Sequence, residues 1–452
     1  MPVQSKSILV PEPGGAQRET TNLIVPNVYE FNRRNARQVV QAPGRAALFS
    51  QISFLLRGLV SKHTFALAYF SPSPSLLAHW HDALEYSPSI IAVRLDSGRI
   101  SLDAKNDPAA LDQLRAIASR ESLGLWCWGA TAQLRQLSLS ASLRLARGHE
   151  SVLESLDLID LLDGKAANRA LVDMVVSKGQ REFATCPYHI CSDSLPQLRK
   201  SLTGMLAVWP RIIVKPGLTW GGKATRVVGR NGLTKEFFAA ICGSESREFS
   251  GGYVLVEPFL GGRRNVSPST DWNPWTNGGK GQAYVGQMLM DGCKCVGTIY
   301  GKDCLGSNEN LRTEMRTFAG DVANSLKEIG YVGWFDVDFL IAGSKRYINE
   351  INIRHTGGTV STLVAEQLLG AHWEIEWSIA ESDGIQTSFD DVGKMVDRIR
   401  QFGYHFSNDV TKFVVLAHDE VESGQFRASY WIAARSREGA ANAMLEVRRI
   451  LA

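Results

Sequence analysis

The residues best placed to do chemistry lie in Trp334-Phe-Asp-Val-Asp-Phe-Leu-Ile-Ala-Gly-Ser-Lys-Arg-Tyr-Ile-Asn-Glu-Ile-Asn-Ile-Arg354. Polar and apolar residues alternate on both sides of Gly343-Ser344, the pattern of two β-strands joined by a tight turn. Side chains on a strand have period two, so Asp336 and Asp338 share one face, and Glu350 and Asn352 share a face of the return strand. With the turn centred near Ser344, Asp338 stands opposite Glu350 and Asp336 opposite Asn352. Phe335, Val337, Phe339, Ile341, Tyr347, Ile351 and Ile353 then cover the other side. Three carboxylates and an amide on one patch repel each other unless a cation sits among them. Oxygen ligands of this kind suit Mg²⁺, which keeps several waters and binds nucleotide phosphates through one or two carboxylates. Arg354 and Gly357-Gly358-Thr359 follow, adding a fixed positive charge and a loop of free backbone N–H groups. The same pattern also fits a half-solvated hairpin with ordinary charges outside.

Upstream lie the residues that could hold phosphate. Lys215 ends the apolar run Arg211-Ile-Ile-Val-Lys-Pro216, where a lysine costs desolvation unless an anion neutralises it. Lys165, at the start of a predicted helix after Gly164, is a second candidate. Each is also readable as a lysine that snorkels to water. Gly217-Leu-Thr-Trp-Gly-Gly222-Lys223-Ala224 nearly matches the phosphate-binding loop G-x-x-x-x-G-K-[ST]. Ala224 lacks the hydroxyl, and Thr225-Arg-Val-Val228 reads as a strand rather than a helix, so a flap folding over phosphates fits better. Glu257-Pro-Phe-Leu260 ends the strand Val254-Leu-Val256. Backbone groups of an edge strand could pair an adenine there and Glu257 accept from its amine, or the segment is a plain strand terminus.

The elements around these residues read as three α/β units behind an arm over residues 1–22. From 23 to 150, short apolar runs (Leu23-Ile-Val25, Phe65 to Phe70, Ile90 to Leu95, Leu125 to Trp128) alternate with helical periodicity, which indicates a parallel sheet. No G-x-G-x-x-G marks its first turn. His79-Trp-His81 lies in a helix, its two imidazoles diverging, and reads as structure. Residues 151–380 carry the motifs above, with Ser267 to Gly281 as a long loop fit to be a lid. Residues 381–452 form a smaller α/β unit closed by a helix capped at Ser436.

The chain has 452 residues, 44% hydrophobic, with formal net charge +3. That balance, without a basic run, argues against a dedicated nucleic-acid or membrane-surface binder. Seven cysteines in so long a chain argue against a disulfide framework. The polar N-terminus has no apolar signal core and no segment is long enough to span a bilayer, so a cytoplasmic protein is expected. The oligomeric state is not readable, and a homodimer is the commonest closed assembly.

Taken in order, Val-Lys-Pro, the glycine-rich flap, Val-Glu-Pro-Phe-Leu-Gly-Gly, Asp-x-Asp-Phe and Asn-Glu-Ile-Asn-x-Arg resemble the ATP-grasp superfamily over roughly residues 160–370. Ser267-Pro-Ser269, Asn352-Ile-Arg-His-Thr-Gly-Gly-Thr359 and the preceding α/β region look like pheganomycin-type peptide ligases. The resemblance implies a pre-ATP-grasp domain, a two-subdomain ATP-grasp fold and a small C-terminal domain. It implies that Lys165 and Lys215 contact ATP phosphates, that Gly221 and Gly222 lie in the flap, and that Glu257, Pro258, Phe259 and Leu260 hold adenine. It implies that Asp338, Glu350 and Asn352 bind two Mg²⁺, with Mn²⁺ as a substitute, and that Arg354 and Lys215 steady the transferred phosphoryl group. Asp336 is additional to that set. Where many relatives place a ribose-binding carboxylate, this chain has Arg263-Arg264-Asn265. The implied activity joins a carboxylate to an amine (amino acids or peptides, in natural-product biosynthesis) through an acylphosphate, releasing ADP and phosphate. The alternatives are a nucleotide-binding regulatory protein without turnover and a P-loop-like hydrolase.

Overall fold

The computed structural model describes residues 21–33, 43–61, 63–146, 149, 153–179, 182–192, 194–217, 225–242, 253–261, 266–274 and 281–452. They form three sheets. The first is parallel: β1 (Thr21–Val25), β2 (Thr64–Ala68), β3 (Ser89–Ala92) and β4 (Leu123–Cys127), in the order β3-β2-β1-β4. β1 and β4 are buried at every position, as strands covered on both faces by helices must be. Two of those helices, Pro74–Leu84 and Pro108–Ala118, start with proline and are capped by the side chains of Ser73 and Asp107. β1 begins at Thr21, so Thr21 and Asn22 belong to this sheet rather than to the arm.

The second sheet is small and antiparallel, in the order β6-β9-β7-β8: β6 (His189–Ser192), β7 (Arg211–Pro216), β8 (Arg226–Gly229) and β9 (Tyr253–Pro258). Leu198, Leu202 and Leu206 of helix Leu195–Val208 pack on Ile212, Val214, Val254 and Val256 beneath it.

The third sheet is the body of the molecule. It holds β5 (Phe183–Thr185), β10 (Ser267–Asn273), β11 (Gln282–Asp291), β12 (Lys294–Gly301), β13 (Phe335–Ala342), β14 (Lys345–Asn352), β15 (Ser378–Thr387), β16 (Thr411–Glu422) and β17 (Gln425–Ala434). Its nine strands run in the order β16-β17-β15-β12-β11-β10-β13-β14-β5, and only β14 and β5 pair in parallel. The division read at 380 falls inside β15, whose ladder to β12 and β17 runs across it without a break.

The lid expected over Ser267 to Gly281 is corrected. Ser267–Asn273 is β10, mostly buried and paired with β11 on one side and β13 on the other. A proline inside a strand removes a ladder donor, so Pro268 is unusual there. Here the regular ladder to β13 starts only at Ser269, so the missing N–H falls outside it. The rest of that segment, 275–280, lies outside the described residues.

Candidate active site

β13 and β14 form the hairpin that the alternation demanded. Asp336 pairs with Asn352 and Asp338 with Glu350, around a turn in which Gly343 takes φ +64°. That left-handed backbone is why glycine stands there. Phe335, Val337, Phe339, Ile351 and Ile353 are fully covered on the opposite face. Hydrophobic burial therefore fixes the register, and a one-residue slip would turn the carboxylates into the core.

Two further elements close on this polar face. Helix Lys165–Lys178 lies along β14 and places Lys165, Asn168 and Arg169 on one side, three and four residues apart. β14 loses its partner β5 after Ile348, and Asn168 takes over. Its amide donates to the Ile351 carbonyl and its Oδ1 accepts from the Ile351 N–H at 3.1 Å. Lys165 Nζ lies 2.8 Å from Glu350 Oε1. From the small sheet, Lys215 Nζ reaches Asn349 Oδ1 at 3.0 Å and Glu257 Oε2 at 2.6 Å. Lys165, Asn168, Arg169, Lys215, Asn349 and Glu350 thus line one small polar pocket.

Glu257 ties the small sheet to the helix that carries Lys165. Its side chain is 2% exposed, and its two oxygens hold Arg169 and Lys215. β9 is not an edge along its length: β6 covers it as far as Val256, and only from Glu257 onward is that side open. Pro258 ends the strand, and Phe259 donates to the Arg211 carbonyl at 3.0 Å beneath the Arg211 guanidinium. Leu260 follows, half-buried. Gly221, Gly222, Lys223 and Arg263 to Asn265 lie outside the described residues. A strand, β8, follows the glycine segment, as expected.

Burial and charge pull the hairpin's carboxyls apart. Burial, then repulsion from Glu350 and Asp271, push the Asp338 carboxyl up to about 7. Burial and Asp338 hold Asp336 well above the ordinary carboxylate range. Glu350 goes the other way: burial would raise it, but Lys165 and Lys215 bring it down to about 2. Burial, with the charges of Arg169 and Lys165, lowers the Lys215 ammonium to about 7. Among the described residues Asp336 Oδ1 and Asp338 Oδ1 are buried without a hydrogen-bond partner, while the Asn352 amide donates to Asp338 Oδ2 at 3.4 Å. Buried orphan oxygens ask for a ligand. Among the described residues no three His, Cys, Asp or Glu side chains converge into a ready-made metal cage. Two carboxylates and an amide are nevertheless the donor set expected where phosphates and waters complete the shell of Mg²⁺. Asp338, Glu350 and Asn352 fit such an ion, and Asp336 stands directly beside them.

Sequence reasoning missed Arg169, Asn168, Asp163, Asn349 and Asp271. The first two carried a signal, since they share a helix face with Lys165. Asp163 lies 3.6 Å from Arg354 Nε. Asp271, on β10 opposite Asp336, accepts from Tyr300 Oη at 2.8 Å and from the Thr356 hydroxyl. Thr356 caps helix Gly357–Leu369, so Gly357-Gly358-Thr359 is the first turn of a helix rather than a loop.

No family model matches the chain, and no curated protein matches it in sequence. Solved structures match its fold. An N5-carboxyaminoimidazole ribonucleotide synthetase in complex with ADP aligns over 98% of this chain and 98% of its own, at 12% identity and TM-score 0.55. A biotin carboxylase from Campylobacter jejuni, bound to a β,γ-ATP ligand, aligns over 96% and 92%, at 13% identity and TM-score 0.57. The biotin carboxylase domain dimer of Hydrogenobacter thermophilus 2-oxoglutarate carboxylase, with MgADP, ADP and bicarbonate, aligns over 95% and 89%, at 12% identity and TM-score 0.56. The chain has the mixed α/β architecture of the ATP-grasp fold, with the parallel domain in front and the large antiparallel sheet behind.

Proposed function

We propose that this chain is an ATP- and Mg²⁺-dependent ligase that joins a carboxylate to an amine through an acylphosphate, releasing ADP and phosphate. The observation that carries this reading is the meeting of Glu350 with Lys165 and Lys215 around one polar pocket, with Asp338 paired to Glu350 across the hairpin and Asn352 on the same strand. Asp338, Glu350 and Asn352 would hold one or two Mg²⁺, which when bound neutralise phosphate charge; Mn²⁺ suits the same ligands. Lys165 and Lys215 would neutralise the triphosphate, with Glu257 and Arg169 fixing where Lys215 points. Backbone from Glu257 to Leu260 would pair with adenine along the side of β9 that β6 leaves open. Arg354, held beside Asp163, would steady the phosphoryl group in flight.

In the reaction a substrate carboxylate oxygen attacks the γ-phosphorus, and ADP leaves. The amine then adds to the acylphosphate carbonyl, phosphate departs and one proton is lost. Charge stabilisation and orientation carry both steps, so no protein nucleophile is required. We assign amino acids or peptides as substrates, in the synthesis of a natural-product peptide in the cytoplasm. Among the described residues no helix is long and apolar enough to cross a membrane. A phosphate-binding loop ending at Lys223 is disfavoured, because β8 rather than a helix follows it. The test is mass spectrometry of products after incubation with Mg²⁺-ATP and mixed amino acids. Condensed masses lacking one water, with ADP formed mole for mole, are expected. Steady release of AMP would contradict the acylphosphate route.

A further inference from the structure

A narrow cleft opens between the first domain and the C-terminal strands, well apart in the chain from the β13–β14 hairpin. Its floor is made where β1 and β2 end, at Pro26 and at Ala68 to Phe70. Open α/β sheets take their ligands outside the carboxyl ends of strands. About 320 Å³ of empty space lies there, part of it open to solvent, between Leu48 and Ile52 on one wall and Asp419 of β16 on the other.

Three polar groups meet in this apolar setting. Arg45 lies over the Phe70 ring, 4.3 Å from its centroid, and donates to Asp419 Oδ1 at 3.0 Å. The pair joins the first domain to β16, and the Arg45 side chain is 42% exposed. Gln51 lines the same cleft, is 6% exposed, and its Nε2 is buried with no partner among the described residues. A buried amide donor left unpaired points to an acceptor that arrives from outside.

We propose that this cleft binds a small zwitterion, an α-amino acid with an apolar side chain. Arg45 takes its carboxylate, Gln51 Nε2 gives that carboxylate a second hydrogen bond, and Asp419 takes its ammonium. Leu48, Ile52 and Phe70 cover the side chain. A purely anionic ligand would pull Arg45 away and strand the half-buried Asp419 without a partner; a purely cationic one would strand Arg45. A zwitterion satisfies both. This goes beyond the ligase reading, since none of these residues belongs to the hairpin or to the lysine pair.

The experiment is calorimetric titration of the full chain, without nucleotide or metal, with a panel of apolar L-amino acids. 4-Methylpentanoate and 3-methylbutylamine serve as single-charge counterparts of leucine. Saturable binding of at least one amino acid is expected. Gln51→Leu and Asp419→Asn should each weaken it about tenfold or more, and the single-charge compounds should bind at least as much more weakly. Glu350→Gln should bind the amino acid as the parent does, which separates this site from the ligase chemistry. Gln51→Leu should melt no lower than the parent, because its donor has no partner to lose. No saturable heat from any amino acid would overturn the proposal. So would unchanged affinity in both cleft variants, equal binding of the single-charge compounds, or loss of binding in Glu350→Gln.

Discussion

Glu350 sits between two lysines and opposite a carboxylate, so its removal has opposed effects on stability. Lys165 loses its partner, while Asp338 loses the repulsion that helps keep its proton on. Glu350→Gln should therefore shift the thermal midpoint by less than about 5 °C. Turnover, read as ADP release, should fall on the order of 100-fold or more. Near-normal turnover would remove the metal assignment. Glu257 offers a sharper discrimination. Both its oxygens are engaged by Arg169 and Lys215, so under the proposed function it would act on phosphate affinity through Lys215. Glu257→Gln should raise KM for ATP and for GTP by the same factor, about tenfold or more, because two buried cations are left facing each other. A change in the preference between ATP and GTP would instead give Glu257 back its role at adenine.

At the scale of elements, the hairpin depends on how helix Gly357–Leu369 seats against β10 and β12. A Cβ on Gly358 would stand 1.8 Å from Tyr300 Oη and 2.4 Å from Asp271 Oδ2. Gly358→Ala must push the helix N-terminus off the sheet, costing about 1–3 kcal/mol of stability by urea unfolding. Activity should fall with it, and an unchanged midpoint would contradict this packing. The glycine pair was legible in the sequence as a signal, but not its reason, which is close approach rather than loop freedom. The hairpin itself was legible because seven apolar and four polar residues alternate on both arms with one turn signal between them. β10 was not, because Pro268, Asp271 and Asn273 read as loop residues, and only two flanking strands make them a strand. Arg169, Asn349 and Asp271 come from three elements brought together only by the tertiary fold, and short-range pattern does not report that.

At the scale of the molecule, the C-terminal strands are part of the large sheet and not an appended unit. A chain ending at 376 would expose β12 as a bare edge and uncover the partners of β16. It should be insoluble or lack a cooperative melt, and a soluble, active shorter chain would refute this continuity. The same strands hold the first domain: Trp80 Nε1 donates to the Val415 carbonyl, and the Val415 N–H donates to His79 Nε2, both at 3.0 Å. His79 must be neutral to accept. Burial, then the charge of His405, lower it to about 4 from 6.5. Its stabilising contribution is full above pH 6.5 and drains away as pH falls toward 4, by up to about 3 kcal/mol. His79→Gln, which keeps an acceptor that does not titrate, should flatten the pH dependence of the urea midpoint across that window. A parallel loss in both proteins would place the effect elsewhere. The account as a whole turns on the divalent ion, and electron paramagnetic resonance of Mn²⁺ titrated into the protein with a non-hydrolysable ATP analogue tests it most directly. Tight, nucleotide-dependent Mn²⁺ binding that disappears in Asp338→Asn and Glu350→Gln is the predicted result, and equal binding by all three proteins would contradict it.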